Sequence, residues 1–344
     1  DLRLWPMDLK QVAAWLPPTL RAPLAKAHPW GTLELKVHAR GRLPGSGPLR
    51  PLDLPLDLDI ALGLNGIGLK DPGRRLNFSG LGGKLGLKTR SNLLRLEGQL
   101  ALASLAKPDL TLDLKGLTFT PTVNITRRQL KADLTLGLER VNKADLGLTS
   151  RGMVLKQQLK SALPMDRLLA GRAAPLGASS ARTSLSVEQL KMALPANTIT
   201  LQKTATTLSL VLDPTRADSS TLSLESTLAS ARHEEQGLLA RDLRLRLDDK
   251  VSGHGGITLP RPRIRLSNIS STHTGSLTLA ALSHQRSGAR LGALDLKMSG
   301  EARGVSMGKA GVALERLTHK VALTLESLSL RGVMDRPLRA NRLD

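Results

Sequence analysis

Leucine recurs at every second position over long stretches of this chain. The longest run is Leu52, Leu54, Leu56, Leu58, Ile60, Leu62 and Leu64, with Asp53, Asp57 and Asp59 among the residues between them. Side chains alternate between faces along a β-strand, so such a run has one apolar and one wet face. The pattern returns at Leu110, Leu112 and Leu114; Leu134, Leu136 and Leu138; Leu208, Leu210 and Leu212; Leu243, Leu245 and Leu247; and Val321, Leu323 and Leu325. The fold class expected is mainly β, with a large apolar sheet face. What that face touches is the functional question.

The apolar residues are unusual in kind. The 344 residues include no Tyr, two Phe (Phe78, Phe119) and three Trp (Trp5, Trp15, Trp30), while Leu makes up roughly a fifth of the chain, well above ordinary usage. Sandwich cores lean on Val, Ile and aromatics, which fit a pleated, half-buried surface. A surface of leucine is smoother and closer to hydrocarbon. The formal charge of +21 makes anionic partners plausible: lipid head groups, lipopolysaccharide phosphates or nucleic acid. The chain has no Cys, hence no disulfide framework or thiol chemistry. No window reaches the length of a membrane-spanning helix, and the start at Asp1 is expected to be that of a mature protein or an excised segment.

Along the chain, Asp8 is expected to cap a short helix near residues 8–16, with Leu9, Val12, Ala13 and Leu16 on one face and Pro17 and Pro18 ending it. A second helix is expected near residues 155–170, interrupted by Pro164. Here Pro164-Met165-Asp166-Arg167-Leu168 echoes Pro6-Met7-Asp8-Leu9, which puts a boundary near 160 and gives two segments, 1–160 and 161–344, of one continuous sheet. Elsewhere, strands of about nine residues, around 25 in all, are expected between turns at Pro44-Gly45-Ser46-Gly47, Asn65-Gly66, Asp71-Pro72-Gly73, Gly82-Gly83, Asp213-Pro214 and Gly253-His254-Gly255-Gly256. Such short connections leave no room for crossover helices, so the pairing is antiparallel.

The sequence offers little for an active site. None of the seven histidines, His28, His38, His233, His254, His273, His284 and His319, sits in an H-x-H pair or an H-E-x-x-H motif. His233-Glu234-Glu235 reads as a solvated turn. Gly253-His254-Gly255-Gly256 lacks the G-x-S-x-G elbow that an oxyanion-hole reading needs, and Asp53, Asp57 and Asp59 lie in the register of a wet sheet face. Phosphate-loop and dinucleotide fingerprints are absent. No catalytic residue, metal site or cofactor is expected, and the chain reads as a non-enzyme. Arg244, Arg246, Arg261, Arg263 and Arg265 alternate with apolar residues, which lines guanidinium groups along one strand face within reach of phosphates. A nucleic-acid groove would add stacking aromatics, and their scarcity argues against that partner. A charged outer face that keeps a leucine-rich chain in solution is the plainer account of these arginines; contact with lipid head groups at the edge of a groove is the functional one.

Four architectures use such alternation. An outer-membrane barrel expects aromatic girdles, and a leucine-rich repeat a fixed short period; neither fits. A β-sandwich would hide the leucines between two sheets, as in a structural or adhesin-like protein without a lipid. A long, curved antiparallel sheet would instead leave its concave face open as an elongated apolar groove.

The serial L-x-L-x-L strands, short Gly/Asn/Asp/Pro turns, few aromatics and the opening Trp5-Pro6-Met7-Asp8-Leu9 followed by an Ala/Leu helix resemble the AsmA-like superfamily, including its TamB-type members. The resemblance implies a periplasmic, cell-envelope protein held at the inner membrane by a segment outside this chain. It also implies a lipid-binding β-groove that serves phospholipid transport between inner and outer membrane or outer-membrane biogenesis, with membranes and outer-membrane assembly proteins as partners. On this reading the leucines of 52–64 with Ile60, and Leu110, Leu112, Leu114, Leu134, Leu136, Leu138, Leu208, Leu210, Leu212, Val321, Leu323 and Leu325 line the groove. Arg244, Arg246, Arg261, Arg263 and Arg265 meet head groups.

Overall fold

The computed structural model of the chain describes residues 2–15, 17, 19, 27–41, 56–90, 93–169, 171–175, 177–194, 197–213, 220–259, 263–308, 311–313 and 316–329. Its strands are β1 Leu2–Asp8, β2 Pro29–Gly41, β3 Leu56–Asp71, β4 Leu76–Arg90, β5 Leu93–Lys107, β6 Leu112–Thr126, β7 Gln129–Lys143, β8 Leu148–Ala162, β9 Ala174–Pro175 and β10 Ser179–Leu194. They continue as β11 Asn197–Leu212, β12 Ser220–His233, β13 Leu238–Leu259, β14 Arg263–His284, β15 Ala289–Leu291, β16 Leu294–Gly308, β17 Gly311–Ala313, β18 Arg316–Leu325 and β19 Leu328–Ser329. The fold is mainly β, open antiparallel sheet with few helices.

Two compact units divide the chain, Asp1–Asp145 with Gly152–Ala174, and Leu146–Arg151 with Pro175–Asp344. In the first, β1 through β7 pair as successive antiparallel neighbours. In the second the same meander runs β10, β11, β12, β13, β14, β16 and β18. Short β15 and β17 add to β14 and β16, and β19 adds to β15.

The turns between strands are built locally. At the predicted turn after Asp71, the Asp71 Oδ1 accepts the Arg74 N–H at 3.0 Å. At Glu234–Gly237 the Gln236 N–H donates to His233 Nδ1 at 3.2 Å. Two further turns share a Lys-x-Asp-Leu pattern: Lys107 pairs with Asp109 and, one hairpin on, Lys143 pairs with Asp145, each at 2.7 Å. These turns stack, because the Ala144 N–H donates to Thr111 O at 3.0 Å and the Asp145 N–H to Thr111 Oγ1 at 3.1 Å.

The first helix is Leu9–Trp15, capped as expected by Asp8, whose Oδ1 accepts the Lys10 N–H at 2.8 Å. The second expectation needs correcting. Residues 155–162 belong to β8, and the helix is only Met165–Leu169. Pro164 disfavours the helical region at the residue before it, so a helix begins only after the proline.

Most of the strands are also longer than expected, the long ones running from 13 residues in β2 to 22 in β13 and β14, and correspondingly fewer. The reason lies in three predicted turns that are mid-strand irregularities instead. Asn65-Gly66 sits inside β3, where the register with β4 slips between Leu64 and Ile67 and Gly66 takes φ 58°. Gly82-Gly83 lies inside β4 and Gly253–Gly256 inside β13, the latter at a slip between Ser252 and His254. A bulge adds one residue, bends the strand and moves the alternation by one position. Pro44–Gly47 and Pro214 lie outside the described residues.

Further left-handed residues lie in mid-strand: Gly80 (φ 70°) in β4, at a second slip against β3, and, with no slip in either neighbouring ladder, Gly116 (φ 64°) in β6, Lys203 (φ 51°) in β11 and Asp242 (φ 52°) in β13. The apolar positions change parity at each. In β6 they run Leu112, Leu114, then Leu117, Phe119, Val123 and Ile125; in β11 they run Ile199, Leu201, then Leu208, Leu210 and Leu212. The left-handed residue turns the side chains that follow it back to the same face, so the leucines stay together on one side.

Among the described residues the buried apolar side chains are few: Ala27, Ile67, Leu163, Ala174 and Leu279, with Pro29 and Pro121. A sandwich would bury the whole inner face of each sheet. Here the leucines are mostly half-buried by one another.

Candidate functional site

Directly paired residues of an antiparallel ladder share a face, so the registers trace the apolar surface across each unit. In the first unit one row is Val37–Ile60–Leu87–Leu96–Val123–Ala132, and another is Leu33–Leu64–Gly83–Leu100–Phe119–Leu136. Beyond the left-handed glycines Gly66, Gly80 and Gly116 the face continues as Leu69–Phe78–Leu105–Leu114–Val141. Strands spaced about 4.8 Å and rising about 3.3 Å per residue make this face roughly 24 Å wide over six strands and about 50 Å long.

The opposite face is a lattice of charges. Its row His38–Asp59–Lys88–Arg95–Asn124–Lys131 carries ion pairs of Lys88 with Asp59 at 3.6 Å and of Arg95 with Glu97 at 2.6 Å. Exposed pairs like these add little stability each; they keep that face wet and the strands in register.

The second unit repeats the arrangement with more Ser and Thr. Rows run Leu208–Leu224–Leu247–Gly275–Met298–Val321 and Thr206–Ser226–Leu245–Leu277–Leu296–Leu323. Leu208, Val321 and Leu323 are exposed, at 43%, 68% and 42%.

One row in this face begins with leucines and turns polar from β13 onward: Leu210–Leu222–Asp249–His273–Gly300–His319. His273 Nε2 and His319 Nδ1 are 3.0 Å apart, and Asp249 Oδ1 is buried with no hydrogen-bond partner. Sequence reasoning missed this group, because its members lie far apart in the chain and only the register unites them.

The predicted lining residues divide as follows. Leu58, Ile60, Leu62 and Leu64 share the apolar face of the first unit with Leu112, Leu114, Leu134, Leu136 and Leu138. Leu208, Leu210, Val321, Leu323 and Leu325 share that of the second, and Leu212 ends β11 opposite Ser179. Leu56 begins β3 opposite Gly41, while Leu52 and Leu54 lie outside the described residues. Leu110 is a correction: it ends a 3-10 turn, Pro108–Leu110, and is exposed there rather than on a strand, because Pro108 supplies the fixed φ of a helical turn and no N–H for a ladder. The parity of the lining residues changes along a strand: Leu112 and Leu114 give way to Leu117 and Phe119 in β6, and Ile199 and Leu201 give way to Leu208 and Leu210 in β11; in β3, β4 and β6 the glycines Gly66, Gly80 and Gly116 at the change were the signal in the sequence.

The arginines also fall differently. Arg244 and Arg246 point to the face opposite the leucines, in mid-strand rather than at a groove edge, since each alternates with Leu243, Leu245 and Leu247 in β13. Arg246 Nε donates to Asp248 Oδ2 at 2.6 Å, and that bond holds the guanidinium's pKa above its ordinary value. Arg246, Asp248, Lys297 and Lys320 border an open depression of about 510 Å³ on this face. Arg263 and Arg265 lie on β14 opposite Thr258 and Gly256, and Arg261 lies outside the described residues.

Among the described residues, no three of His, Cys, Asp and Glu come together as a group able to hold a metal ion, and no helix is long and apolar enough to cross a membrane. No protein-family model, curated protein or solved structure matches the chain.

Proposed function

We propose that the chain is a lipid-binding module of the bacterial cell envelope, whose leucine face shields acyl chains during phospholipid movement between membranes. The observation that carries this reading is the near absence of buried apolar side chains beneath so many leucines. Contiguous apolar patches beyond a few hundred Å² are rare on soluble proteins and mark sites of interaction.

Acyl chains suit this face for physical reasons. Each CH₂ withdrawn from water is worth about 0.8 kcal/mol, and leucine rows supply that gain without directional bonds, so a chain can slide from row to row at nearly constant energy. A face about 50 Å long exceeds the roughly 15 Å that half a bilayer's hydrocarbon occupies. Head groups would remain in water beyond the strand ends, and Lys and Arg of the net +21 charge favour anionic lipids nearby. An AsmA-like, periplasmic protein is the setting in which such a module is expected to work.

Native mass spectrometry of the purified chain tests this directly. Adducts of phospholipid mass, lost when Leu87 and Leu96 of one row are both changed to Asp, are expected. A chain that purifies without lipid and takes up none from vesicles containing photoactivatable phospholipid overturns the proposal.

A further inference from the structure

We infer that His273 and His319 form a binding site for a divalent late transition-metal ion, copper(II) best, on the apolar face of the second unit. The two residues sit on β14 and β18 with β16 between them, and Gly300 of β16 is the residue that pairs with both. A Cβ at Gly300 would stand 2.3 Å from His273 Nε2. Only glycine leaves the space in which the two rings meet. Their centroids are 4.7 Å apart and their planes tilted by 48°, and His273 Nε2 lies 3.0 Å from His319 Nδ1.

That separation suits a shared metal ion. Imidazole nitrogens bind such metals at about 2.0–2.1 Å, and two of them 3.0 Å apart subtend about 94° at the ion. An angle near 90° belongs to tetragonal copper(II) or nickel(II); tetrahedral zinc asks for a wider one. Copper also heads the affinity order for nitrogen donors. Both histidines would bind neutral, His273 protonated at Nδ1 and His319 at Nε2. Water would complete the coordination.

Asp249 completes the argument. It is the next residue of the row, on the side of His273 away from His319, and its Oδ1 is buried without a hydrogen-bond partner. Metal-bound histidines commonly donate their second N–H to a carboxylate, which orients the ring and raises its basicity. Asp249 makes no such bond in this structure; its free Oδ1 and its place beside His273 in the row leave it available to accept one when a metal turns the His273 ring.

The test uses the full chain titrated with copper(II) in a non-chelating buffer near pH 7.5, followed by calorimetry and electron paramagnetic resonance. One ion per chain is expected, with hyperfine splitting from two nitrogens. His273→Gln and His319→Gln should each weaken binding on the order of tenfold or more, and Asp249→Asn by roughly tenfold. Gly300→Ala should abolish the two-nitrogen signature while both histidines remain, and His284→Ala should change nothing. Circular dichroism of each variant checks that it is folded. Equal affinity and an unchanged spectrum in the folded His273→Gln/His319→Gln double variant overturn the inference, as does a persistent two-nitrogen spectrum in Gly300→Ala.

Discussion

Gly116 of β6 lies against Glu139 of β7 so closely that a Cβ on the glycine would stand 2.6 Å from the Cβ of the glutamate. Gly116 also has φ 64°, a conformation L side chains disfavour. Gly116→Ala therefore meets a steric and a conformational penalty together, and a loss of about 2–4 kcal/mol is expected from the two. The midpoint of urea unfolding should fall. An unchanged midpoint would mean that the bend at this position is dispensable.

Lys203 occupies the corresponding place in β11 with φ 51° but carries a side chain. Lys203→Gly relieves about 1–2 kcal/mol of backbone strain against an entropic cost of about 0.5–1 kcal/mol. A net gain of about 0.5–1 kcal/mol is expected, read as a higher unfolding midpoint. Lys203→Ala should give no gain, which separates backbone strain from the loss of a charge.

Leu136 and Leu279 contrast the open face with the little core there is. Leu136 is 36% exposed and Leu279 only 9%. Leu136→Asp leaves its carboxylate in water and should cost about 1 kcal/mol or less while removing bound lipid. Leu279→Asp buries an unpaired charge and should cost several kcal/mol. Thermal unfolding alongside lipid photocrosslinking distinguishes the two, and equal destabilisation by both would count against an open face.

Asp109 titrates under the influence of Lys107, whose side-chain hydrogen bond holds its carboxyl pKa below the ordinary value. A folded-state pKa below the unfolded one means that the pair's stabilisation is present above the ordinary carboxylate pKa and is lost as pH falls through the folded value. The site is fully exposed, so the effect on stability is small and screened by salt. Carbon-detected NMR should show the Asp109 carboxyl returning toward the ordinary value in Lys107→Met. A carboxyl that titrates identically in both proteins would show that the pair does not form.

Much of the fold was legible in the chain. Alternation at residues 56–64 and 134–138 marks strand and face together, because a strand's side-chain period is two and leucine on one parity leaves only one way to hide it. Asp8 before an apolar i, i+4 pattern announced its helix by the same local logic. Asn65-Gly66 and Gly253–Gly256 misled because glycine serves a turn and a bulge alike: both need positive φ, and the difference rests on whether a partner strand continues alongside. Residues 155–162 misled for a related reason, since leucines four apart fit a helix as well as a strand whose neighbours are polar.

The candidate site divides along the same line. Which residues are apolar, how many there are, and that no aromatic girdle accompanies them were properties of the amino acids and needed no coordinates. Whether those leucines meet a second sheet or stand open depends on packing between segments far apart in sequence, and only the tertiary structure decided it. So too for His273 and His319: each is unremarkable in its own strand, and they become a pair because the registers of β14, β16 and β18 set both beside Gly300. Local chemistry determines the period of a strand, whereas register, a sum over many ladder bonds and bulges, determines who stands next to whom.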